Sequence, residues 1–140
     1  MRAIILIMLG LSAFLFAGFS RSGGVVTDSA TSLQWQDDYS DNAGNIKTTT
    51  WTGAIDYCEA LTLGGHIDWR LPNKKELLSL VDYGTYSPAI SSIFQNTNPY
   101  AYWSSTTNAN GTFVAWIVSF NYGDTNDYSK TDVYCVRCVR

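Results

Sequence analysis

Charged residues are scarce in this sequence. Asp, Glu, Lys and Arg together make up 15% of the residues, whereas about 25% is usual for soluble domains. No basic run is longer than Lys74-Lys75, and a duplex nucleic-acid partner would require many phosphate-neutralising cations. Nucleic acid is therefore not an expected partner. Disorder is not expected either, because it requires low hydrophobicity as well as high charge, and 46% of the residues are hydrophobic.

Histidine and cysteine are also rare, which limits metal and redox chemistry. His66 is the only histidine, and the three cysteines are Cys58, Cys135 and Cys138. The C-x-x-C pair lies in the alternating, strand-like segment 133–139 rather than at a helix start, where a thiolate would be stabilised. No second C-x-x-C pair is present to complete a zinc site. We therefore predict a structural disulfide, no metal site and no cofactor.

The sequence contains no recognisable catalytic arrangement. Ser104-Ser105 lacks the flanking glycines of a nucleophile elbow, and nothing in the spacing brings His66 next to it. Glu59 and Glu76 fall at solvated helix positions rather than forming a carboxylate pair. We therefore predict a binding module and not an enzyme.

Long apolar runs are absent except at the N-terminus. Arg2 is followed by the apolar stretch 3–19 and then by small residues. A positive start, an apolar stretch and small residues near the cut are the parts of a secretory signal. Export would place the protein in the secreted or cell-surface fraction, where disulfides persist. An uncleaved membrane anchor is the alternative, although the stretch is short for a span of about 20 residues.

The small residues set the predicted domain boundary. We predict a signal peptide over residues 1–20, cleaved after Ser20, and one domain over residues 21–140. Cleavage after Ser22 is the second choice. Loss of Arg2 with the leader would change the formal net charge from −3 to −4.

The remaining pattern predicts an α+β fold, with a strand first, two helices next and several strands last. Residues 52–63 have apolar positions at helical spacing, and Asn73 with Glu76 resembles a capping box that starts a second helix ending near Tyr83. Segment 122–130 is predicted to be a polar loop. The predicted strands are centred on Leu33 to Trp35 and on residues 100–106, 112–121 and 133–139.

Four motifs together resemble a known family. They are W-T-G-A-I-D-Y-C-E-A-L-T-L-G-G-H-I-D-W-R-L-P-N-K-K-E-L-L-S-L-V-D-Y at 51–83, Y-W-S-S-T at 102–106, A-W-I-V-S-F-N-Y-G at 115–123 and V-R-C-V-R at 136–140. Over about residues 25 to 140 the chain resembles the Lcl C-terminal domain family of bacterial secreted proteins. That resemblance implies a C-type-lectin-like fold, with two helices packed on a mainly antiparallel twisted sheet. It also implies a disulfide between Cys58 and Cys138, which leaves Cys135 as the odd thiol.

The resemblance also implies a surface role in ligand binding or adhesion, since members resemble glycan-binding adhesins. A sugar site needs aromatic faces and planar polar groups, and loops on a rigid scaffold are where such residues concentrate. Trp35, Trp51 and Trp69 are expected to be structural. The candidate ligand-binding residues are Tyr102, Asn108, Asn110, Asn121, Tyr122, Asp124, Asn126 and Tyr128.

Two absences refine this expectation. C-type lectins that bind sugar through calcium carry a Glu-Pro-Asn or Gln-Pro-Asp triplet and a Trp-Asn-Asp triplet, and the sequence has neither. We therefore predict calcium-independent carbohydrate binding. Sulfated glycans require Arg or Lys clusters, so they are poor candidates for this acidic chain.

Two other functions stay open. The Asn-, Tyr- and Asp-rich segment 121–129 is compatible with a variable protein-binding receptor of a diversity-generating retroelement, although an ordinary polar turn is the preferred interpretation. A structural subunit of a surface assembly is the other alternative. The expected partner is a glycan or a cell-surface protein, with membrane contact only if the N-terminal segment is uncleaved. An oligomer is compatible with the sequence.

Overall fold

The computed structural model describes residues 18–140, so the predicted signal peptide lies outside the described residues as far as Ala17. Within this range the fold is α+β, as predicted, and no helix there is both long and apolar enough to cross a bilayer. A 3-10 turn occupies Ser40–Asn42. The elements are β1 (Phe19–Ser22), β2 (Val25–Asp28), β3 (Gln34–Gln36), β4 (Thr48–Thr49), α1 (Trp51–Ala60), α2 (Lys74–Leu78), β5 (Ala101–Asn108), β6 (Gly111–Ser119), β7 (Thr125–Ser129) and β8 (Tyr134–Cys135).

The strands form two sheets. The first is an antiparallel sheet of three strands in the order β1-β2-β3. The second has five strands in the order β4-β8-β5-β6-β7, and only the β5–β8 pair in it is parallel. Val139 forms bridges to both Trp35 and Arg70. The C-terminal segment therefore connects the small sheet to the connector between the two helices.

Two hydrophobic clusters are separated by the alternation of side chains along the strands. On β6, Ala115 and Ile117 belong to one cluster and Val118 belongs to the other. On β5, Trp103 belongs to the same cluster as Ile117, and Tyr102 belongs to the same cluster as Val118. Successive side chains of a strand point to opposite faces, so the central sheet is covered on both sides.

Both helices begin where the sequence predicts and end earlier. The Thr50 side chain accepts a hydrogen bond from Gly53 N at the start of α1, and Asn73 and Glu76 form a complete capping box at the start of α2. Helix α1 ends at Ala60 because Leu61 is already extended. Helix α2 spans only five residues.

The predicted disulfide is present. Cys58 on α1 is bonded to Cys138, and the closed loop has a sequence separation of 80 residues. Both cysteines are fully buried in the cluster that contains Trp103. Cys135 is the free thiol, and it is buried in the other cluster. The odd spacing of Cys135 and Cys138 thus directs them to different sides.

Two strand predictions are wrong. Segment 122–130, predicted to be a loop, contains the edge strand β7 (Thr125–Ser129). Its residues are mostly exposed, so it lacks the apolar alternation that would have identified a strand. Segment 133–139, predicted to be one strand, pairs regularly only at Tyr134–Cys135.

A buried ion pair joins the residue that follows β3 to the segment that follows β8. The Asp37 carboxylate and the Arg137 guanidinium are both fully buried, and Arg137 Nη1 lies 3.4 Å from Asp37 Oδ1. Arg137 also donates to the carbonyls of Gln36 and Asn96. Removing one partner of such a pair leaves an uncompensated buried charge and costs several kcal/mol. This network therefore fixes the segment around Asn96 against the small sheet.

Candidate functional site

Two neighbouring cavities lie on one side of the domain, around the β6–β7 turn. The first, here called the Tyr100 pocket, has a volume of about 580 Å³ and is lined by Thr48, Ser87, Pro99, Tyr100, Ala101, Ser119, Asn121, Val133, Tyr134 and Cys135. The second, here called the tyrosine cleft, has a volume of about 460 Å³ and is lined by Tyr83, Gly84, Thr85, Tyr86 and Tyr122. The two cavities adjoin, because consecutive residues line different ones. Tyr86 and Tyr122 line the cleft, and their chain neighbours Ser87 and Asn121 line the pocket.

The tyrosine cleft presents aromatic surface to solvent. The exposed fractions of Tyr83, Tyr86 and Tyr122 are 76%, 73% and 66%. The rings of Tyr86 and Tyr122 are nearly parallel, with centroids 6.2 Å apart and an angle of 19° between their planes. Large exposed aromatic groups that cluster together mark interaction sites. The cleft therefore offers a ligand a solvent-exposed pair of stacked rings.

A glycine brings the two tyrosine-bearing loops together. Gly123 has a φ of +85°, and a Cβ there would lie 2.3 Å from Val81 Cγ1. Both the left-handed conformation and the lack of a side chain are therefore needed. Tyr122 precedes this contact and Tyr83 follows Val81, so the close approach places their rings on one surface.

Backbone hydrogen bonds hold the loops in this arrangement. Ser87 N donates to Asn121 O, and Ala89 N donates to Phe120 O, both at 2.7 Å. The Asp82 carboxylate accepts from Gly84 N at 2.8 Å, which shapes the turn before Tyr86. The cleft is thus largely preformed, and a ligand would not need to order these loops on binding.

The Tyr100 pocket has an exposed rim and a buried thiol in its wall. Tyr100 and Val133 are 66% and 57% exposed. Tyr134 packs edge-on against Trp103, with centroids 5.0 Å apart. Burial raises the pKa of the Cys135 thiol and that of the Tyr134 hydroxyl. Both groups are therefore neutral at pH 7.

The lining of the two cavities carries no charged side chain. Tyr, Ser, Thr, Asn, Gly, the Cys135 thiol and small apolar residues make up the whole lining. The charged residues next to the lining in the sequence are Lys47 before Thr48, Asp82 before Tyr83 and Asp132 before Val133, and Asp124 follows Tyr122 by two residues. No group of three or more His, Cys, Asp or Glu side chains suited to a metal occurs within residues 18–140. The chemistry available is aromatic stacking and neutral hydrogen bonding.

The structure brings some of the predicted site residues together here. Asn121 and Tyr122 line the cavities, and the exposed Asp124 follows in the same turn. Tyr128 packs against Tyr134, with centroids 5.1 Å apart, and so supports the wall of the Tyr100 pocket. Asn126 is exposed on β7. Asn121, Tyr122 and Asp124 thus belong to the turn between β6 and β7, and Asn126 and Tyr128 lie on the edge strand β7 that follows it.

Asn108 and Asn110 lie elsewhere. They flank the β5–β6 turn, at the opposite end of β6 from Asn121, and a nine-residue strand places the two ends about 25 Å apart. The Asn108 side chain hydrogen-bonds to the Asp127 carboxylate and accepts from Asn110 N. Neither residue lines the cavities. Asn110 belongs to the hairpin turn, and Asn108 joins the end of β5 to Asp127 on β7.

Tyr102 is not available to a ligand. Its side chain is fully buried, packs edge-on against Phe120 with centroids 5.3 Å apart, and accepts a hydrogen bond from Asn98 N. On β5 the alternation directs Tyr102 into one core cluster and Trp103 into the other, so neither faces solvent. We remove Tyr102 from the candidate site.

Tyr83, Tyr86 and Tyr100 were not predicted from the sequence. They come from the loop between α2 and β5, some 20 to 40 residues before the β6–β7 turn. A signal was present in the segment Y-G-T-Y-S-P at 83–88, where tyrosines occur in a turn-rich stretch with no apolar periodicity. Aromatic residues in such a stretch are candidates for surface recognition.

A family model described as the Lcl C-terminal domain matches residues 24–140. No curated protein matches the chain.

Proposed function

The chain belongs to the Lcl C-terminal domain family, and on that premise we propose that it is an exported, C-type-lectin-like module that binds carbohydrate without calcium. The proposed site is the tyrosine cleft together with the Tyr100 pocket. The observation that carries the proposal is the exposed, nearly parallel pair Tyr86 and Tyr122. The role is recognition at the cell surface or outside the cell, and not catalysis.

The architecture supports the fold and the location. Two helices pack on a mainly antiparallel sheet, and a disulfide joins the first helix to the C-terminal segment. These are the features that the family resemblance implies for a C-type-lectin-like domain. The family and the intramolecular disulfide are both consistent with an extracellular protein.

Aromatic stacking suits a sugar ring. The C–H groups on one face of a pyranose are weakly positive, and the face of a tyrosine ring is negative. Tyr86 and Tyr122 stack on each other and stay mostly exposed, so their outward faces are open to a sugar ring. Asn121 and Ser87 next to them provide groups that pair with hydroxyls. A concave site lined by aromatic groups with a few polar groups is the usual form of a small-ligand site.

The charge pattern favours a neutral glycan. A sulfated or carboxylated sugar is recognised by Arg and Lys, and neither lines the two cavities. Asp82 precedes Tyr83 and Asp124 follows Tyr122 by two residues, and both would repel an anion at the tyrosine cleft. The formal net charge of −3 adds to this repulsion.

A glycan-array screen of the exported protein, with calcium and with EDTA, tests the proposal. Neutral glycans should bind equally under both conditions. Loss of binding in EDTA would refute calcium independence, and preference for sulfated glycans would refute the charge argument. Silence on every glycan would refute carbohydrate binding and would favour a protein partner, as a variable receptor or a surface-assembly subunit requires.

Substitutions locate the site. Tyr122→Ala and Tyr86→Ala should each weaken binding about tenfold, since an aromatic contact contributes about 1.5 kcal/mol. Gly123→Ala should also weaken it, because the added Cβ pushes the turn away from Val81. Phe113→Ala is the matched control, since Phe113 is 73% exposed but lies near the opposite end of β6. Equal affinity of all four variants would place the binding site elsewhere.

A further inference from the structure

Strand β1 is an integral part of the folded domain. It pairs with β2 along its whole length, from Phe19 opposite Asp28 to Ser22 opposite Val25. Gly18 extends this pairing, since its N–H donates to Ser29 Oγ at 2.8 Å and its carbonyl accepts from Ser29 N at 3.1 Å. Every residue from 18 to 22 is therefore engaged by the three-stranded sheet.

Arg21 neutralises a buried charge. Its Nε donates to Asp37 Oδ2 at 2.6 Å, and its Nη2 donates to the Asp37 carbonyl. The Asp37 carboxylate has no exposed surface, and Arg137 Nη1 reaches it only at 3.4 Å. Without Arg21, Asp37 would lose its closest charged partner while staying buried, which is strongly destabilising.

Phe19 closes the edge of a core cluster. Its ring packs edge-on against Phe94, with centroids 5.5 Å apart, and it is one of the partly buried residues against the cluster that contains Trp35. The Arg137 guanidinium lies over the Phe94 ring, with Cζ 4.6 Å from the ring centroid. Loss of Phe19 would therefore expose Phe94 beside a buried guanidinium.

We infer that the secretory leader is removed between Ala17 and Gly18, so that the exported chain keeps the whole of β1. Cleavage after Ser20, which small-residue spacing alone favours, would discard Gly18 and Phe19. Cleavage after Ser22 would discard Arg21 as well. Cleavage between Ala17 and Gly18 leaves the contacts of Gly18, Phe19 and Arg21 intact.

The sequence around Ala17 meets two of the three requirements for such a cut. Ala17 provides the small residue directly before the cleaved bond, and the apolar stretch 3–16 falls within the 7 to 15 residues typical of a signal core. The third requirement, a small residue two positions earlier, is not met, because Leu15 stands there. Hydrolysis consumes one water and leaves a carboxylate on Ala17 and an amine on Gly18. That amine can still donate to Ser29 Oγ.

The full-length chain, exported from a bacterial host and purified without denaturation, provides the test. Intact mass and N-terminal sequencing should give a chain that starts Gly18-Phe19-Ser20. A start at Arg21 or Gly23 would overturn the inference, and so would a retained Met1.

A stability series tests the reason for the inference. Chains that start at Gly18, Arg21 and Gly23 can be exported behind a leader with a known cut and unfolded in urea. The midpoint should fall at each step, by about 1 M or more when Arg21 is lost. The matched control is Arg21→Gln in the chain that starts at Gly18. It should reproduce the fall in midpoint between the chain that starts at Arg21 and the chain that starts at Gly23. Equal midpoints for the Gly18 and Gly23 chains would show that β1 is dispensable and would overturn the inference.

Discussion

Removing the Cys58–Cys138 disulfide should remove a large part of the folding stability. The bond closes a loop with a separation of 80 residues. The chain-entropy model assigns such a loop about 4.5 kcal/mol at 25 °C, because the cross-link restricts the unfolded chain. Domains of this kind have total stabilities of about 5 to 15 kcal/mol. The double variant Cys58→Ala, Cys138→Ala should therefore be marginally stable.

Urea unfolding followed by tryptophan fluorescence measures this loss, since Trp35, Trp69 and Trp103 are all buried. With a slope of about 2 kcal/mol per M, the midpoint should fall by roughly 2 M. The slope itself should rise, because an unfolded chain without a cross-link exposes more surface. The wild-type protein in a strong reductant should reproduce both changes.

Cys135→Ala is the matched control for the double variant. It also removes a buried sulfur, but it breaks no cross-link, so it should cost about 1 kcal/mol and leave the slope unchanged. A double variant that loses less than about 1 kcal/mol, with an unchanged slope, would refute the reasoning. The stabilisation would then not originate in the unfolded chain.

Two further predictions concern titratable groups. Burial raises the pKa of the Cys135 thiol. In the folded protein at pH 8 the thiol should therefore react slowly with a disulfide reagent, and in urea, where the protein is unfolded, it should react completely. A reaction rate in the folded protein equal to that of free cysteine would contradict this prediction. The two hydrogen bonds from Arg70 hold the pKa of Glu76 below its usual value. A depressed folded pKa gives stability that is present above the unfolded value near 4.3 and lost as the pH falls through the folded value. Glu76→Gln should therefore cost roughly 0.5–1 kcal/mol at pH 7, given solvent screening, and progressively less as the pH falls below the unfolded value, as urea midpoints at a series of pH values would show.

Local signals in the sequence predicted the helix starts and the class of the fold. Thr50 and Asn73 are capping residues whose effect extends over a single turn, so their role could be recognised without tertiary information. The helix ends could not be predicted in the same way. The apolar residues after Leu78 continue a helical pattern, but Val81 forms a bridge with Ile90 instead. Tertiary pairing overrides propensity at that point.

The candidate site was only half predictable, because its two halves are distant in the chain. Asn121 and Tyr122 lie in a turn that the sequence marks clearly. Tyr83 and Tyr86 join them only because Gly123 permits a close approach to Val81. The prediction for Tyr102 was wrong because burial cannot be read from residue type. A tyrosine is a typical sugar-binding residue, but on β5 both faces of the strand are covered by core clusters, so Tyr102 is buried.

The contacts of residues 135–140 determine when this domain can fold during synthesis. Cys138 bonds to α1, Val139 bridges Trp35 and Arg70, and Arg137 is hydrogen-bonded to Gln36 across a separation of 101 residues. Contacts this far apart in sequence slow folding, because a long loop must close first. The native core therefore cannot form while residues 135–140 are still in the ribosome. The cross-link between Cys58 and Cys138 must likewise wait until both cysteines have been released, so it closes late and locks a core that is already assembled.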